Sequence, residues 1–224
     1  MKKIILCVML VVLCIGVFAG CTNHEYTVGE NAKIILDGET ARYTDGSKEE
    51  TIDNIKVKFE IESGGVFVME VYPKYAPETV ANFCDLVSEG FYDGLIFHRV
   101  IPGFVIQTGD PTGIGTGGSE ETVDGEFKAN GFEKNTLKHE VGTVSMARTN
   151  DYNSASSQFF ICLEENSYLD GEYAAFGKVV YGMDSVEEIG EATTDDKDKP
   201  LVNIVIKKAS IITNEEYNKY LKEE

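Results

Sequence analysis

The stretch FHRVIPGFVIQ, residues 97–107, carries the strongest functional signal in the chain. It sets Arg99 and Gln107 among apolar and aromatic residues, and no nucleophilic side chain lies between them. A cation and an amide beside an apolar surface can bind and polarise a neutral group, whereas covalent catalysis needs an activated nucleophile. The stretch therefore indicates a site that holds a neutral ligand without attacking it.

Two later segments extend this pattern. SSQFFIC (156–162) adds a second glutamine, Gln158, and a pair of phenylalanines, and LDGEYAAFG (169–177) follows it closely. Together with residues 97–107, these segments resemble the cyclophilin family of peptidyl-prolyl isomerases. The resemblance runs in order from about residue 55 to residue 212.

This resemblance implies a fold and an activity. The family has a mainly β fold, a closed eight-stranded antiparallel barrel capped by two helices, and it catalyses the cis-trans isomerisation of X–Pro bonds. It acts on proline-containing peptides and needs no cofactor. The residues alone predict many short strands and two helices, which is typical of a barrel or a sandwich, and only the resemblance selects between them.

The resemblance also assigns site residues, position by position. Arg99, Gln107 and Phe104 would be catalytic, with the guanidinium of Arg99 stabilising the twisted amide. The residues that would bind the peptide are Val105, Ala147, Arg148, Gln158, Phe160, Tyr168, Leu169 and Tyr173.

Four of these residues depart from the family pattern. Val105 stands where Met is usual, Arg148 where Asn is common, Tyr168 where many eukaryotic members have Trp, and Tyr173 where His is usual. Tyr168 lacks the indole N–H, so we expect weak binding of cyclosporin. Tyr173 is still aromatic and can wall the pocket, so we expect catalysis to survive.

The N-terminal residues are typical of a bacterial lipoprotein signal. Lys2 and Lys3 precede an apolar run, and FAGC (18–21) resembles a lipobox with Phe in place of the usual Leu. We expect residues 1–20 to be removed and Cys21 to be lipidated, which would place the protein outside the cytoplasm on the bacterial cell membrane. An uncleaved anchor and ordinary secretion are the alternatives.

The remaining chain divides into three parts. Residues 21–54 are acidic and lack sustained periodicity, so we interpret them as a tether behind the lipidated cysteine, although KIIL (33–36) could form a short strand. Residues 55–213 form the isomerase-like domain. Residues 214–224 form an acidic tail, which we expect to be a frayed helix.

Local patterns predict several elements of the domain. Residues 55–61 alternate apolar and charged, which is typical of a half-buried strand, and a second strand is expected at 66–72. Pro77 is placed to begin a helix and Gly90 to end it. The sequence DSVE at 184–187 has capping-box spacing and predicts a second helix.

Composition excludes some partners. The chain has 38 acidic and 20 basic residues and a formal net charge of −18, so its surface would repel nucleic acid and anionic lipid headgroups. Membrane attachment would then rest on the N-terminal lipid alone. The clients would be unfolded exported proteins. The sequence has no heptad run and no long amphipathic helix, so a monomer is the expectation.

Other motifs carry weaker signals. GIGTGG (113–118) satisfies a dinucleotide-binding pattern, but the acidic residues after it do not begin the helix that such a loop needs. Cys84 and Cys162 could pair, although two separate thiols are the simpler interpretation. No metal-ligand spacing is present, and we interpret each of the three histidines as structural: His24, His98 and His139.

Two functions compete with isomerisation. One is a non-catalytic peptide-binding or holdase module that keeps the groove without accelerating rotation, which the four departures would permit. The other is a barrel that stores a small ligand. Only an isomerase predicts that Arg99→Ala lowers turnover while the fold survives.

Overall fold

The computed structural model describes residues 23–29 and 31–222. The predicted signal and Cys21 lie outside these residues. The described chain forms a four-stranded and an eight-stranded antiparallel sheet with three α-helices. No helix within 23–29 and 31–222 is long and apolar enough to cross a membrane.

The elements have the following bounds. The smaller sheet, here named the N-terminal sheet, consists of β1 (His24–Thr27), β2 (Lys33–Asp37), β3 (Thr40–Thr44) and β4 (Glu49–Ile52). The larger sheet consists of β5 (Ile55–Ile61), β6 (Val66–Val71), β7 (Arg99–Ile101), β8 (Val105–Thr108), β9 (Thr143–Met146), β10 (Phe159–Cys162), β11 (Ala175–Tyr181) and β12 (Ile206–Ile212). The helices are α1 (Pro77–Ser88), α2 (Met183–Gly190) and α3 (Asn214–Tyr220).

The alternation in β5 produces a strand with one buried face. The buried residues are Ile55, Val57, Phe59 and Ile61, and the residues between them are partly exposed. The prediction of a half-buried strand is therefore confirmed. A turn with Gly64 at a φ of 107° joins β5 to β6 as a hairpin. β6 begins at Val66 as predicted and ends one residue earlier, at Val71.

The larger sheet curls into a half-barrel whose edge strands do not pair. Its strand order is β12-β5-β6-β11-β9-β10-β8-β7, so β7 and β12 remain edges and the predicted closed barrel is wrong. The chain opposite β7 is irregular, because Pro200 has no N–H to donate and Asp198 has a φ of 64°. Single contacts cross the gap: a bridge between Ile96 and Val205, and a hydrogen bond from the Val100 N–H to the Asp198 carbonyl (2.8 Å).

Aromatic residues fill the inside of the curled sheet. Phe59 stacks on Phe67 with ring centroids 5.0 Å apart, and Phe83 of α1 meets Phe159 edge-on at 5.5 Å. All four side chains are fully buried. Aromatic pairs of this kind contribute roughly 0.5–1.5 kcal/mol each beyond their area burial. The inner core is thus a firm support for the strands that carry the site.

Helix α1 takes its N-terminal cap from a distant loop. Pro77 begins the helix as predicted, but Ala76 at the cap position provides no side-chain hydrogen bond. The Glu126 carboxylate instead accepts the N–H groups of Glu78 (3.1 Å) and Thr79 (2.8 Å). Burial raises the pKa of Glu126, while the two N–H groups satisfy donors that a helix leaves free in its first turn. The loop that carries Glu126 is thereby fixed to α1.

Glycine backbones set the ends of α1 and α2. α1 ends at Ser88, and Gly90 then takes a φ of 72°, so the predicted stop is confirmed. α2 begins after Gly182, which has a φ of 71°, and a Cβ there would lie 2.1 Å from the Val66 carbonyl oxygen. The second helix exists as predicted. The capping box at 184–187 is wrong, because the cap position lies before it and has no side chain.

The third helix, α3, lies in the predicted acidic tail. The Thr213 hydroxyl oxygen accepts the N–H of Glu216 at 3.1 Å and caps the helix. The Tyr217 hydroxyl donates to the Val180 carbonyl of β11 at 3.2 Å. The tail is thus helical, as expected, but it is attached to the larger sheet and adds a third α-helix to the two predicted for the domain.

The N-terminal sheet is folded onto the rest of the protein. The Tyr26 hydroxyl donates to the carbonyl of Ala81 in α1 (3.3 Å), and His24 Nδ1 lies 3.0 Å from a carboxylate oxygen of Asp85. β1 to β4 lie within the predicted tether of residues 21–54 and therefore form a sheet instead, and the short strand considered at 33–36 is part of β2. The residues of this sheet that belong to the main hydrophobic core are Tyr26, Ile34, Leu36 and Ala41.

Candidate active site

Strand register brings Arg99, Gln107 and Phe160 into one row. Arg99 of β7 lies opposite Gln107 of β8, and Gln107 lies opposite Phe160 of β10. Phe160 lies opposite Ser145 of β9. Directly opposed residues of antiparallel strands point to the same face of a sheet, and the next residue along each strand, such as Ile106, points to the other. Ile106 lies in the inner core, so these four residues, here named the register row, lie on the outer face.

A second, smaller hydrophobic cluster lies on this outer face, separate from the inner core. A cleft of about 310 Å³ opens over it, with Arg99 and Gln107 in its wall. Of the eleven predicted site residues, nine line this cleft, and Gln158 and Tyr168 do not. The cleft therefore combines an apolar floor with a polar wall. The members of the outer cluster are Val105, Phe160, Cys162, Leu169, Phe104, Ala147 and Tyr173.

A line of side-chain hydrogen bonds fixes the polar wall. Arg99 Nη1 donates to Gln107 Oε1 (3.3 Å), and Gln107 Nε2 donates to Gln158 Oε1 (2.8 Å). Gln158 Nε2 then donates to the carbonyl oxygens of Gly117 (2.7 Å) and Gly115 (3.2 Å). Each amide is bonded on both sides, so its neighbours set its orientation. The line connects Arg99 to the glycine-rich loop.

The glycine-rich loop at 113–118 surrounds a carboxylate of the protein itself. Buried Asp110 accepts the N–H groups of Thr112 (2.7 Å), Ile114 (3.2 Å) and Gly115 (2.6 Å). Burial opposes ionisation of Asp110, but the hydrogen bonds from Thr112 and the loop lower its pKa below the usual range. A phosphate-binding loop must offer free N–H groups to its ligand. The geometry therefore agrees with the rejection of a dinucleotide site.

Arg148 is held against three aromatic rings. Its guanidinium carbon lies 4.5 Å from the ring centre of Tyr173, 4.7 Å from that of Tyr152 and 5.2 Å from that of Phe127. Its Nη2 donates to the Glu172 carbonyl (2.9 Å). Cation–π contacts contribute roughly 0.5–1 kcal/mol each at exposed sites. Arg148 is thus a fixed part of the cleft wall.

Gln158 and Tyr168 lie beside the cleft. Gln158 lines an adjoining groove of about 450 Å³ together with Gln107 and Arg148. Tyr168 is 67% exposed and stacks on Phe104 with ring centroids 6.2 Å apart. Tyr168 therefore extends the rim of the cleft, not its floor.

Four residues outside the predicted site also line the cleft: His98, Ile114, Gly115 and Lys197. His98 is buried, and burial lowers its pKa, so the ring is neutral at pH 7. Its position next to Arg99 is the signal that could have identified it. Ile114 belongs to the glycine-rich loop, whose place beside a groove was expected. Lys197 comes from a loop far along the chain, and no sequence pattern connects it to the site.

Comparison with protein families matches residues 56–211 to the family described as "Cyclophilin type peptidyl-prolyl cis-trans isomerase/CLD". The chain belongs to the cyclophilin family. Its activity is therefore peptidyl-prolyl cis-trans isomerisation, and the predictions of family and activity are confirmed. The matched span begins after the N-terminal sheet.

Two fungal relatives carry this activity in their names. The chain is 42% identical over 151 residues to "Peptidyl-prolyl cis-trans isomerase-like 1" of Emericella nidulans, covering 67% of this chain and 91% of the relative. It is 44% identical over 149 residues to "Peptidyl-prolyl cis-trans isomerase ppi1" of Schizosaccharomyces pombe, covering 65% and 92%. Because both relatives are eukaryotic, the bacterial lipoprotein form stays a prediction.

Solved structures agree on the fold. A cyclophilin type peptidyl-prolyl cis-trans isomerase of Cryptosporidium parvum matches with a TM-score of 0.65 and 33% identity, over 72% of this chain and 99% of that chain. A structure of the same protein in the presence of the dipeptide Ala-Pro matches with a TM-score of 0.64 and 34% identity, over 71% and 99%. The mainly β, cyclophilin-like fold is therefore confirmed.

In this cyclophilin, His139 supports the cleft from behind. Its Nε2 lies 3.0 Å from Ser145 Oγ and its Nδ1 lies 3.1 Å from Asp170 Oδ1, an arrangement similar to a hydrolase triad. The His139 side chain has no solvent exposure, so a substrate does not reach it. Its ring stacks on Phe160 with centroids 6.0 Å apart. Ser145 and Asp170 thus hold the His139 ring against Phe160 of the register row.

Cys84 and Cys162 are buried free thiols, which agrees with their interpretation as two separate groups. Burial raises the pKa of both thiols, to about 11 for Cys162, so reactive thiolate is scarce at neutral pH. Across the described parts of the chain, no group of three or more His, Cys, Asp or Glu residues is arranged to hold a metal ion.

The carboxylate at the centre of the glycine-rich loop gives a pH-dependent prediction. Asp110→Asn leaves one acceptor oxygen where two now serve Thr112, Ile114 and Gly115, so we expect a loss of about 1–3 kcal/mol in the free energy of unfolding at pH 7. The pKa of Asp110 is lowered in the folded state. Its stabilisation is therefore complete above the unfolded pKa of about 4 and disappears as the pH falls through the folded pKa.

Urea unfolding of both proteins from pH 7 to pH 3 measures this difference. The difference in the free energy of unfolding between wild type and Asp110→Asn should be largest near pH 7 and should decrease below about pH 4. Glu120→Gln, an exposed position two residues after this loop, is the matched control and should unfold with the same free energy as the wild type at each pH. A difference that stays constant from pH 7 to pH 3 would contradict the claim that the ionised carboxylate of Asp110 provides the stabilisation.

Proposed function

We propose that this isomerase works without covalent chemistry, with Arg99 stabilising the twisted X–Pro amide. The observation that carries the proposal is the guanidinium of Arg99, which donates to Gln107 in the wall of an apolar cleft. Within the described residues, Arg99 Nη2 has no protein hydrogen bond. A donor is therefore available to a substrate at the mouth of the cleft.

The physics of amide rotation makes a fixed cation sufficient. Resonance holds the X–Pro bond planar, with a barrier of about 18–20 kcal/mol and uncatalysed times of tens to hundreds of seconds. Millisecond turnover requires a reduction of roughly 6–8 kcal/mol. When the bond twists, the prolyl nitrogen loses conjugation and becomes a better hydrogen-bond acceptor. A guanidinium fixed beside that nitrogen therefore stabilises the twisted state more than either planar state.

The apolar floor would hold the proline ring while the other side of the bond rotates. Phe160 and Leu169 are buried in the outer cluster, and Phe104 packs against them. Burial of the ring fixes one end of the rotating bond and removes water from the guanidinium, which strengthens its interaction with the substrate. The amide of Gln107 would bind the substrate carbonyl, because it lies beside Arg99 in the same wall.

The remaining predicted residues would bind the flanking peptide. Ala147 and Arg148 line both the cleft and the adjoining groove, and Gln158 lines the groove. The unusual residues fit these positions: Val105 is 2% exposed in the floor, and Tyr173 meets Phe160 edge-on at 5.9 Å. These contacts support a complete pocket, and so favour catalysis over a holdase that only binds.

We further propose that the isomerase is lipidated at Cys21 and acts on unfolded exported proteins outside the bacterial cytoplasm. The support is the signal-like sequence at 1–21 and the acidic surface, which leaves the lipid as the means of attachment. Two residues separate Cys21 from β1, so the folded protein would lie close to the bilayer. We also propose that the protein is a monomer. Light scattering of a Cys21→Ser form should therefore give the mass of a single chain.

The role of Arg99 predicts a large loss of activity on its removal. Arg99→Ala should lower kcat/KM for an Ala-Pro peptide by about 10²-fold or more, because it removes the donor that acts in the twisted state. The measurement is the isomerisation rate, with circular dichroism to show an unchanged fold. Arg42→Ala in the N-terminal sheet removes an exposed arginine that pairs with Glu49 and is the matched control.

Retention of most of the activity in Arg99→Ala would contradict this role. A well-folded wild type that binds the peptide without accelerating its isomerisation would instead favour the holdase.

Lipidation predicts a covalent label at one cysteine. In a bacterial host fed radioactive palmitate, the wild type should be labelled and recovered with membranes, and Cys21→Ser should be unlabelled. Cys14→Ser, within the predicted signal, controls for loss of a cysteine as such. An unlabelled wild type, or label that survives in Cys21→Ser, would refute the anchor.

A further inference from the structure

The loop between α2 and β12 is a rigid structure that reaches the active site. Asp195 Oδ1 accepts the N–H groups of Lys197 (2.9 Å) and Lys199 (3.0 Å). The Asp195 N–H donates to the Lys199 carbonyl (2.8 Å), and a bridge joins Thr194 to Pro200. We name residues 194–200 the gap loop, because it faces β7 across the opening of the half-barrel.

Asp198 occupies a conformation that side chains rarely adopt. Its φ of 64° is the only positive φ of a non-glycine residue among those that the structure describes. Left-handed backbone is unfavourable for residues other than Gly and, to a lesser degree, Asn and Asp, and it persists where the surroundings enforce it. Here the Asp198 carbonyl accepts the N–H of Val100 in β7 at 2.8 Å. The residue is thus fixed to the strand that carries Arg99.

The Asp198 carboxylate faces Arg99. Its Oδ2 lies 3.8 Å from Arg99 Nε, an ion pair at contact without a hydrogen bond. Gln107 accepts from Nη1 of the same guanidinium at 3.3 Å. An arginine side chain has several rotatable bonds, and one contact leaves its planar group free to turn. Contacts at both Nε and Nη1 define the plane of the guanidinium.

The gap loop also reaches the far end of the polar wall. Lys199 Nζ donates to the Gly113 carbonyl at 2.9 Å, and Gly113 begins the loop that receives the amide of Gln158. The gap loop therefore contacts the site at both ends of the line that runs from Arg99 to the glycine-rich loop. A backbone this constrained places the Asp198 carboxylate reproducibly.

We propose that Asp198 is a positioning residue, whose carboxylate fixes the orientation of the Arg99 guanidinium for isomerisation. This inference rests on the proposed role of Arg99. This role differs from that of the Asp198 backbone, whose carbonyl joins the gap loop to β7 and could be supplied by any residue in this conformation.

Two substitutions separate the carboxylate from the backbone. Asn and Gly both tolerate a positive φ, so Asp198→Asn and Asp198→Gly keep the hydrogen bond to Val100 and remove the charge. Both should lower kcat/KM by about 2- to 5-fold, the range that an exposed ion pair supports. Their thermal unfolding should stay near that of the wild type. Asp196→Asn removes an exposed carboxylate of the same loop and is the matched control.

A double-mutant cycle with Arg99→Ala shows whether Asp198 acts through the arginine. With an uncharged Ala-Pro peptide and a raised protein concentration, Asp198→Asn should cause no further loss in the Arg99→Ala background. The ratio of kcat/KM between wild type and Asp198→Asn should also decrease in 1 M NaCl, because salt screens the ion pair.

The outcomes are distinct. Full activity in both Asp198→Asn and Asp198→Gly would overturn the proposal while Arg99 keeps its role. An equal loss with and without Arg99 would show that Asp198 acts by another route, which also overturns it. Full activity of Arg99→Ala would remove the proposed function itself, and the positioning role with it.

Discussion

The site depends on the register of β7, β8 and β10. Arg99 lies opposite Gln107, and Gln107 lies opposite Phe160, so a cation, an amide and an aromatic ring share one row. Because side chains alternate along a strand, a slip of one residue would turn each of them into the aromatic core and bring Val100, Ile106 and their neighbours outside. Such a slip would bury an arginine without a partner, and its desolvation cost strongly favours the observed register.

Both faces of the sheet formed by β7, β8, β9 and β10 contribute to function. The inner face packs against the core that contains Phe59 and Phe159, while the outer face carries the cluster around Phe160. His139 then packs behind Phe160 and is itself held by Ser145 and Asp170. A surface pocket supported in this way keeps its shape without being buried, so it can admit a peptide from solvent.

The loops complete what the strands begin. Asp110 draws the glycine-rich loop around its own carboxylate, and that loop orients the amide of Gln158. The gap loop brings Asp198 to the other end of the polar line, beside Arg99. Carboxylates thus organise both loops, which is consistent with a strongly acidic protein that binds a neutral group. The polar wall is set before the substrate arrives, and preorganised dipoles are the larger part of catalysis of this type.

The sequence predicts these features unequally. Arg99 and Gln107 stand out because they are polar residues within an apolar run, but Phe160 and Leu169 look like ordinary core. Hydrophobicity alone does not tell which face of a strand a residue occupies, so the floor of the cleft was assigned through the family resemblance. Lys197 and Asp198 were missed because their closeness to the site is a tertiary property of the gap loop.

Two errors of architecture have local causes. The closed barrel was expected from the family, whereas Pro200 and the left-handed Asp198 interrupt pairing opposite β7. The N-terminal sheet was interpreted as a tether because its strands have four or five residues. Too few of those residues are buried to give a periodic signal.

The catalytic role of the cleft is best measured by two-dimensional exchange NMR of an Ala-Pro peptide with a small amount of the protein. Amide shifts of the protein are recorded in the same titration. We expect exchange peaks between the cis and trans peptide at mixing times of tens of milliseconds, and shifts centred on Gln107, Ala147 and Phe160. Two results would contradict the claim that the cleft on the outer face of the larger sheet catalyses the rotation. One is exchange with shifts confined to the N-terminal sheet, and the other is shifts at the cleft without exchange.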